Sequence, residues 1–317
     1  METTEINPTW YIAGIGAIGG LMASSFFHGG YPVKLLLKNQ HQLATYRQSK
    51  LTVFIDNDLL TSQPNAIDIH DIGNQPIHYL LCCVKAFDIT KLLMHLKHNL
   101  NERSVILLLN NGLGVLDEIK TKLPQLRIIS GISTVGAYLE KSFTVRAFLN
   151  GKVVFGSSIG QFTANEINSV KTTFEHVNLP HQWVDNIHTI IQEKFALNCS
   201  VNILTALFTC KNGELLSHQE LLKKLTFEIA TVMSAYGMNM NAIELYSKVI
   251  HVIQITADNY SSMYTDVNNN RTTEISYLNE HLMTLAEQKK ITMPIHDELL
   301  RQFYAKFPQQ TSFLEEQ

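Results

Sequence analysis

Two stretches of this sequence carry residue types at spacings that chemistry can use. The first is Gly14-Ile15-Gly16-Ala17-Ile18-Gly19, a GxGxxG run entered directly from the apolar segment Trp10 to Ala13. In a strand, turn, helix setting each glycine has a task. Gly14 permits the tight turn, Gly16 lets the backbone approach a pyrophosphate, and Gly19 lets the next helix pack closely on the sheet. The helix N-terminus then offers unpaired N–H groups to phosphate oxygens. The same glycines also suit an ordinary βα turn. The second stretch runs from Gln192 to Thr209, where Lys194, Asn198, Asn202, Thr205 and Thr209 follow i, i+4, i+8, i+11 and i+15 among apolar neighbours. That spacing puts them on one face of a helix. A solvent-facing stripe is one reading. Asparagine, however, is a poor helix former that gains nothing from exposure in mid-helix. The other reading is therefore the polar wall of a pocket, where ammonium and amide groups orient an anionic, oxygen-rich ligand.

The elements that must position these groups change character along the chain. Short apolar runs at Trp10 to Ala13, Val33 to Leu37, Ile77 to Val84, Val105 to Leu109 and Arg127 to Ile132 alternate with amphipathic segments. This is the pattern of βαβ units around a parallel sheet. A further strand or hairpin is expected around Leu51 to Ile55. VRAFLN and GKVVFG read as two strands joined by a tight Asn150-Gly151 turn. A helix from Ala164 to Val177 and a short strand near Trp183 follow, and from Ile187 onward helical periodicity prevails. The expected fold is thus α/β plus all-α, with a sheet domain over residues 1–185 and a helical domain over 186–317.

Composition narrows the partners. The 317 residues hold 25 Lys+Arg against 28 Asp+Glu, a formal net charge of -3, so no global basic field exists to hold nucleic acid. No apolar run approaches the length of a membrane span, and the acidic opening METTEINPTW has no leader character, which together imply a cytoplasmic protein. Cys82, Cys83, Cys199 and Cys210 match no metal spacing and read as reduced, buried thiols. Among the 13 histidines no HExxH occurs, and His95 and His98 lack a third ligand nearby, so no metal is expected. At the end of the second apolar run, where an NAD enzyme places an acid against the ribose, stands Lys38. A cation there pairs with a 2′-phosphate, so NADPH is preferred to NADH; the bland alternative is a solvated strand-end lysine.

Taken in order, GIGAIG, VKAFD around Lys85, NNGLG at 110 to 114, EKFALNCSVNILTA around Lys194, CKNGEL around Asn212, and NYSSMYTD followed by RTTEISYLN resemble the ketopantoate reductase family over nearly the whole chain. The resemblance implies a Rossmann-type NADPH-binding domain followed by a helical substrate domain. It also implies NADPH-dependent reduction of 2-dehydropantoate to (R)-pantoate, a step toward pantothenate and coenzyme A. On the family pattern Lys194 is the catalytic proton donor, and Glu274 binds the substrate hydroxyl and helps position the lysine. Asn111 holds lysine and substrate near the nicotinamide, while Asn198, Asn202, Asn212 and Ser262 bind substrate. Gly14 to Gly19, Lys38, Lys85 and Asn111 contact the cofactor. Read locally, after Thr272 and Thr273, the alternative for Glu274 is a first-turn acid complementing a helix dipole.

The chain departs from the family pattern in its extra residues before the first strand and at Glu193, Asn110 and Ser276. These leave substrate identity less defined than reaction class. The alternatives are a sibling reductase acting on another small 2-oxo acid and a non-catalytic dinucleotide sensor. A homodimer through the helical half fits the organisation without a residue-level argument for it.

Overall fold

The computed structural model describes residues 7–310 apart from 57, 111 and 239. The chain divides into two compact units. One comprises residues up to Asn110 together with Val115–His188, and the other comprises Asn111–Gly114 together with Thr189 onward.

The first unit is built on strands β1 (Trp10–Ala13), β2 (Val33–Leu37), β3 (Leu51–Ile55), β4 (Asp58–Ser62), β5 (Asn65–Asp68), β6 (Tyr79–Cys82), β7 (Val105–Leu109), β8 (Ile128–Ser133), β9 (Gly136–Lys141), β10 (Thr144–Phe148), β11 (Val153–Ile159) and β12 (His181–Trp183). Its helices are α1 (Ala17–His28), α2 (Gln40–Arg47), α3 (Ala86–His95), α4 (Gly114–Lys122, whose first residue packs with the other unit) and α5 (Ala164–His176). The larger sheet has the order β12-β11-β8-β7-β6-β1-β2-β5, and the smaller has β4-β3-β10-β9. Strands β8, β7, β6, β1, β2 and β5 are mutually parallel, and β11 runs antiparallel to β8. Strands β1 and β7 are buried at every position, as expected where helices cover both faces of a parallel sheet.

Helix α1 follows the glycine turn and is almost wholly buried, from Gly19 to Phe26. It lies on the smaller sheet as well: a Cβ on Gly20 would sit 2.8 Å from Val145. Its lack of a polar face follows from being enclosed on two sides. Trp10 and Phe26 (ring centroids 5.1 Å apart) and Phe26 and Phe174 (5.5 Å) form the aromatic centre of this core.

One expected turn is absent. Asn150-Gly151 does not close a hairpin, because β10 pairs antiparallel with β9 in the small sheet while β11 pairs with β8 in the large one. The chain passes between the two sheets four times, after β2, after β4, at Thr134 and at 149–152. The last two crossings touch: the Thr134 N–H donates to the Lys152 carbonyl at 2.9 Å, and a Cβ on Gly151 would lie 2.2 Å from the Thr134 oxygen. Gly151 is there for close approach between crossings. The real hairpin turns at Phe143, which has φ +60°.

The second unit contains α6 (Ile187–Phe208, counted from its start in the first unit), α7 (Gln219–Ala235), α8 (Ala242–Ile255), α9 (Ser262–Asn268), α10 (Asn279–Gln288) and α11 (Pro294–Lys306). Its core is mainly aliphatic, with Leu204, Ile229, Val249 and Leu282 among the buried side chains beside Phe195 and Phe303. Asn241 starts α8 by accepting the N–H groups of Ile243 and Glu244. Helix α6 ends at Phe208: Thr209 adopts φ +55°, and the Cys210 N–H donates back to the Thr205 carbonyl. Thr209 therefore terminates the helix and is not the last member of its polar stripe. Among the described residues no helix is long and apolar enough to cross a membrane.

Candidate active site

In the first unit the glycine turn is a backbone device. Gly14 sits at φ +86°, and a Cβ there would lie 2.5 Å from both the Cys83 carbonyl carbon and the Val84 nitrogen. A Cβ on Gly19 would lie 2.0 Å from the Gly14 oxygen. Gly16 differs: apart from its own chain neighbours, none of the described residues comes within 4 Å of where its Cβ would be. It is also the N-cap of α1, with no capping side chain and no acid in the first turn. Two glycines thus close the turn against β6 and α1, while the third leaves its face open beside uncapped helical N–H groups. A pyrophosphate fits that cradle, since it satisfies the donors and meets the positive end of the helix dipole. Lys38 is exposed just beyond β2, its N–H donating to Gln42 at 2.8 Å. Lys85 is the N-cap residue of α3 and is half-buried. Cys82 is fully buried and Cys83 partly so, and burial pushes both thiols well up from their ordinary range. They take no part in nucleophilic chemistry on this ground.

In the second unit the stripe on α6 is not a solvent face. Lys194 and Asn198 are half-buried, Asn202 is 6% exposed and Thr205 fully buried. Desolvation lowers the Lys194 ammonium to about 8, and the charge of the buried Glu274 opposes that fall. The sequence brings these two together from distant segments: Glu274 starts the short 3-10 turn Ile275–Tyr277 just before α10. Asn202 donates to the exposed Ser262 hydroxyl at the long limit of 3.5 Å. Its neighbour Ser261 holds the place more firmly: its Oγ accepts the Tyr264 N–H to cap α9 and takes a 2.7 Å hydrogen bond from Thr205. Asn212 is held by its N–H donating to the Asn259 carbonyl and its Nδ2 donating to Thr256 at 2.9 Å. Its buried Oδ1 has no partner among the described residues, an acceptor ready for a ligand hydroxyl. Asn111 lies outside the described residues.

Of the three departures, Glu193 faces outward and pairs with Lys248 at 2.9 Å on the surface. Asn110 Nδ2 and Ser276 Oγ are buried without a partner among the described residues. Sequence reasoning missed Ser261, Thr256, Asn279 and His296. Only Ser261 left a signal, as a serine preceding a short helical run in NYSSMYTD; the others depend on partners far away in sequence. Among the described residues no group of His, Cys, Asp and Glu could hold a metal ion.

Comparison with known proteins gives these units a family context. Residues 10–160 match the ketopantoate reductase PanE/ApbA family, and residues 186–306 match the ketopantoate reductase PanE/ApbA C-terminal family. The chain is 28% identical to the 2-dehydropantoate 2-reductase of Vibrio cholerae, covering 92% of this chain and 95% of that one. It is 32% identical to that of Listeria monocytogenes, covering 83% and 86%. Among solved structures, a D-mandelate dehydrogenase with NADH and anilino(oxo)acetate superposes with a TM-score of 0.86 at 22% identity, covering 94% of this chain and 98% of the other. A probable 2-dehydropantoate 2-reductase from Bacillus subtilis superposes at 0.76, also at 22% identity, covering 94% and 99%.

Proposed function

Because this chain belongs to the ketopantoate reductase family and is an oxidoreductase, we propose that it reduces 2-dehydropantoate to (R)-pantoate with NADPH, Lys194 delivering the proton. The observation that carries this reading is the half-buried ammonium of Lys194, poised near neutrality and electrostatically coupled to buried Glu274. A nicotinamide dinucleotide seated on the Gly14 to Gly19 turn supplies the hydride. Every other task falls to side chains. The Lys194 ammonium donates a hydrogen bond to the ketone oxygen, stabilises the negative charge that grows there as C2 is reduced, and passes its proton to that oxygen. A pKa of about 8 makes it a better acid than an ordinary lysine while keeping it mostly protonated at neutral pH. Glu274 keeps the ammonium charged against the desolvation that lowers it and accepts the substrate hydroxyl. Asn198, Asn202 and Ser262 donate to the carboxylate, and the Asn212 Oδ1, without a partner among the described residues, accepts from a hydroxyl. Asn111 is assigned to the same set by the family pattern.

Lys38 is proposed to meet the 2′-phosphate and Lys85 the cofactor's other oxygens, and the two units divide cofactor from substrate near residue 185. The test is direct. Purified protein is mixed with NADPH and a panel of 2-oxo acids that includes 2-dehydropantoate, a straight-chain 2-oxo acid and phenylglyoxylate, and loss of reduced-nicotinamide absorbance is followed. Selective oxidation with 2-dehydropantoate is the expected result. Faster turnover of phenylglyoxylate would transfer the assignment to a sibling reductase, and silence on the whole panel would overturn it.

A further inference from the structure

Asn279 and His296 form a polar pair at the centre of the helical unit, both fully buried. The Asn279 Nδ2 donates to the carbonyl of Cys199, in the middle of α6, at 3.1 Å and to His296 Nε2 at 2.8 Å. Cys199 lies between Asn198 and Asn202 on the helix that carries Lys194. Asn279 itself opens α10, immediately after the turn that Glu274 begins, and that turn is tied by the Tyr277 N–H to the Glu274 carbonyl at 3.0 Å. One amide therefore joins the segment bearing the acid to the helix bearing the ammonium. His296 is fixed in turn: its own N–H and that of Ile295 donate to the Glu228 carboxylate of α7 at 3.0 and 2.9 Å.

We propose that Asn279, buttressed by His296, is a positioning residue that sets Lys194 against Glu274, an inference that rests on the reductase reading above. Stability alone does not account for the pair. Asn279 Oδ1 and His296 Nδ1 are buried with no partner among the described residues. Unsatisfied atoms of this kind cost stability, and replacing both members of such a pair by apolar groups is commonly neutral or stabilising. A pair that weakens the core yet spans the two segments bearing the acid and the ammonium acts on their geometry. His296 is suited to the task because burial lowers it to about 3, so its Nε2 remains an acceptor through the neutral range. The hydrogen bond it receives orients the amide so that the remaining N–H points at Cys199.

The experiment uses the full chain with Asn279→Leu and His296→Leu introduced together, and separately His296→Gln, whose amide oxygen accepts in place of Nε2. Three quantities are measured: denaturant midpoint, kcat for 2-dehydropantoate, and the titration midpoint of Lys194 by NMR of 15N-labelled lysine, assigned with Lys194→Ala. The double variant is expected to keep its denaturant midpoint, lose kcat by about 10²-fold as expected for misplaced reacting groups, and titrate Lys194 lower because Glu274 supports it less. His296→Gln is expected to stay near wild type. A double variant that loses stability but leaves kcat and the Lys194 midpoint unchanged would overturn the proposal. If wild type turns over no 2-oxo acid while the Lys194 midpoint still falls in the double variant, the reductase reading fails and the positioning role stands.

Discussion

In the Gly14 to Gly19 turn the working surface is backbone, and two of the three glycines matter because there is no room for anything else. Along α6 the proposed working surface is side chain, and Lys194, Asn198 and Asn202 stand out because they are polar where neighbouring positions are apolar. The turn is assembled almost entirely by residues next to it in sequence and by the end of β6. The stripe takes its properties from far away, from Glu274, Ser261, Ser262 and Asn279. A site made from local backbone survives most distant substitutions, whereas one made from borrowed side chains is sensitive to its lenders. This contrast can be tested by perturbing each region in turn.

The largest effect is expected at Lys194. Lys194→Ala should lower kcat by about 10²–10⁴-fold while NADPH binds as before, because the glycine turn is untouched. Steady-state rates and a fluorescence titration of NADPH check the two halves of that statement. The pH dependence has a defined sign: the protonated amine is the proposed acid, so kcat/KM, which follows the free enzyme, should fall as pH rises through about 8. Glu274→Gln should move that fall to lower pH, since the carboxylate is what opposes desolvation. An alkaline limb that stays in place in Glu274→Gln would break the coupling claimed for the stripe.

How much of this was legible in advance follows the same division. Strands β1, β2 and β7 begin and end where their apolar runs do, and the glycine turn sits where GxGxxG put it. The failures occur where a distant contact overrides a local signal. Asn150-Gly151 has the chemistry of a hairpin turn, but the neighbouring sheet crossing at Thr134 claims it. Thr209 keeps the helical spacing, yet its backbone has already left the helix. Periodicity shows that Asn202 and Thr205 share a face, but not that Ser261 and Ser262 cover it. Nothing near His296 in sequence distinguishes it from the other histidines.

The borrowed support of the stripe should also appear as acid sensitivity. His296 titrates near 6.5 when unfolded and near 3 when folded. A depressed folded value means that its contribution is intact above about pH 6.5 and is lost as pH falls toward 3, at up to about 1.4 kcal/mol per pH unit. Denaturant unfolding at a series of pH values should show that slope in wild type and a flatter one in His296→Gln. Equal slopes would mean that this imidazole is not the group that charges on unfolding.

Within the glycine turn the contrast narrows to single methyl groups. Gly19→Ala forces a Cβ onto the Gly14 oxygen and should destabilise by about 1–3 kcal/mol, because backbone on both sides must shift. Gly16→Ala meets no atom beyond its chain neighbours among the described residues and should leave the denaturant midpoint unchanged while weakening NADPH binding, because the methyl occupies space proposed for the pyrophosphate. If both substitutions weaken stability alike, Gly16 is a structural glycine and the open face is not a cradle.

The smallest effect is expected at Lys38, and its size follows from its exposure. The side chain stands in solvent at the end of β2, so a contact to a 2′-phosphate would be screened and worth about 1 kcal/mol. Lys38→Ala should therefore raise KM for NADPH by roughly 5–10-fold with kcat unchanged, and leave KM for NADH where it was, since NADH has no phosphate to lose. The NADPH effect should shrink as salt is added, which a buried contact would not do. Lys38→Glu should go further by repelling the phosphate, again without touching NADH. Should both cofactors weaken together, Lys38 acts through the fold of the β2 terminus, where its N–H meets Gln42, and cofactor choice must be sought elsewhere in the first unit.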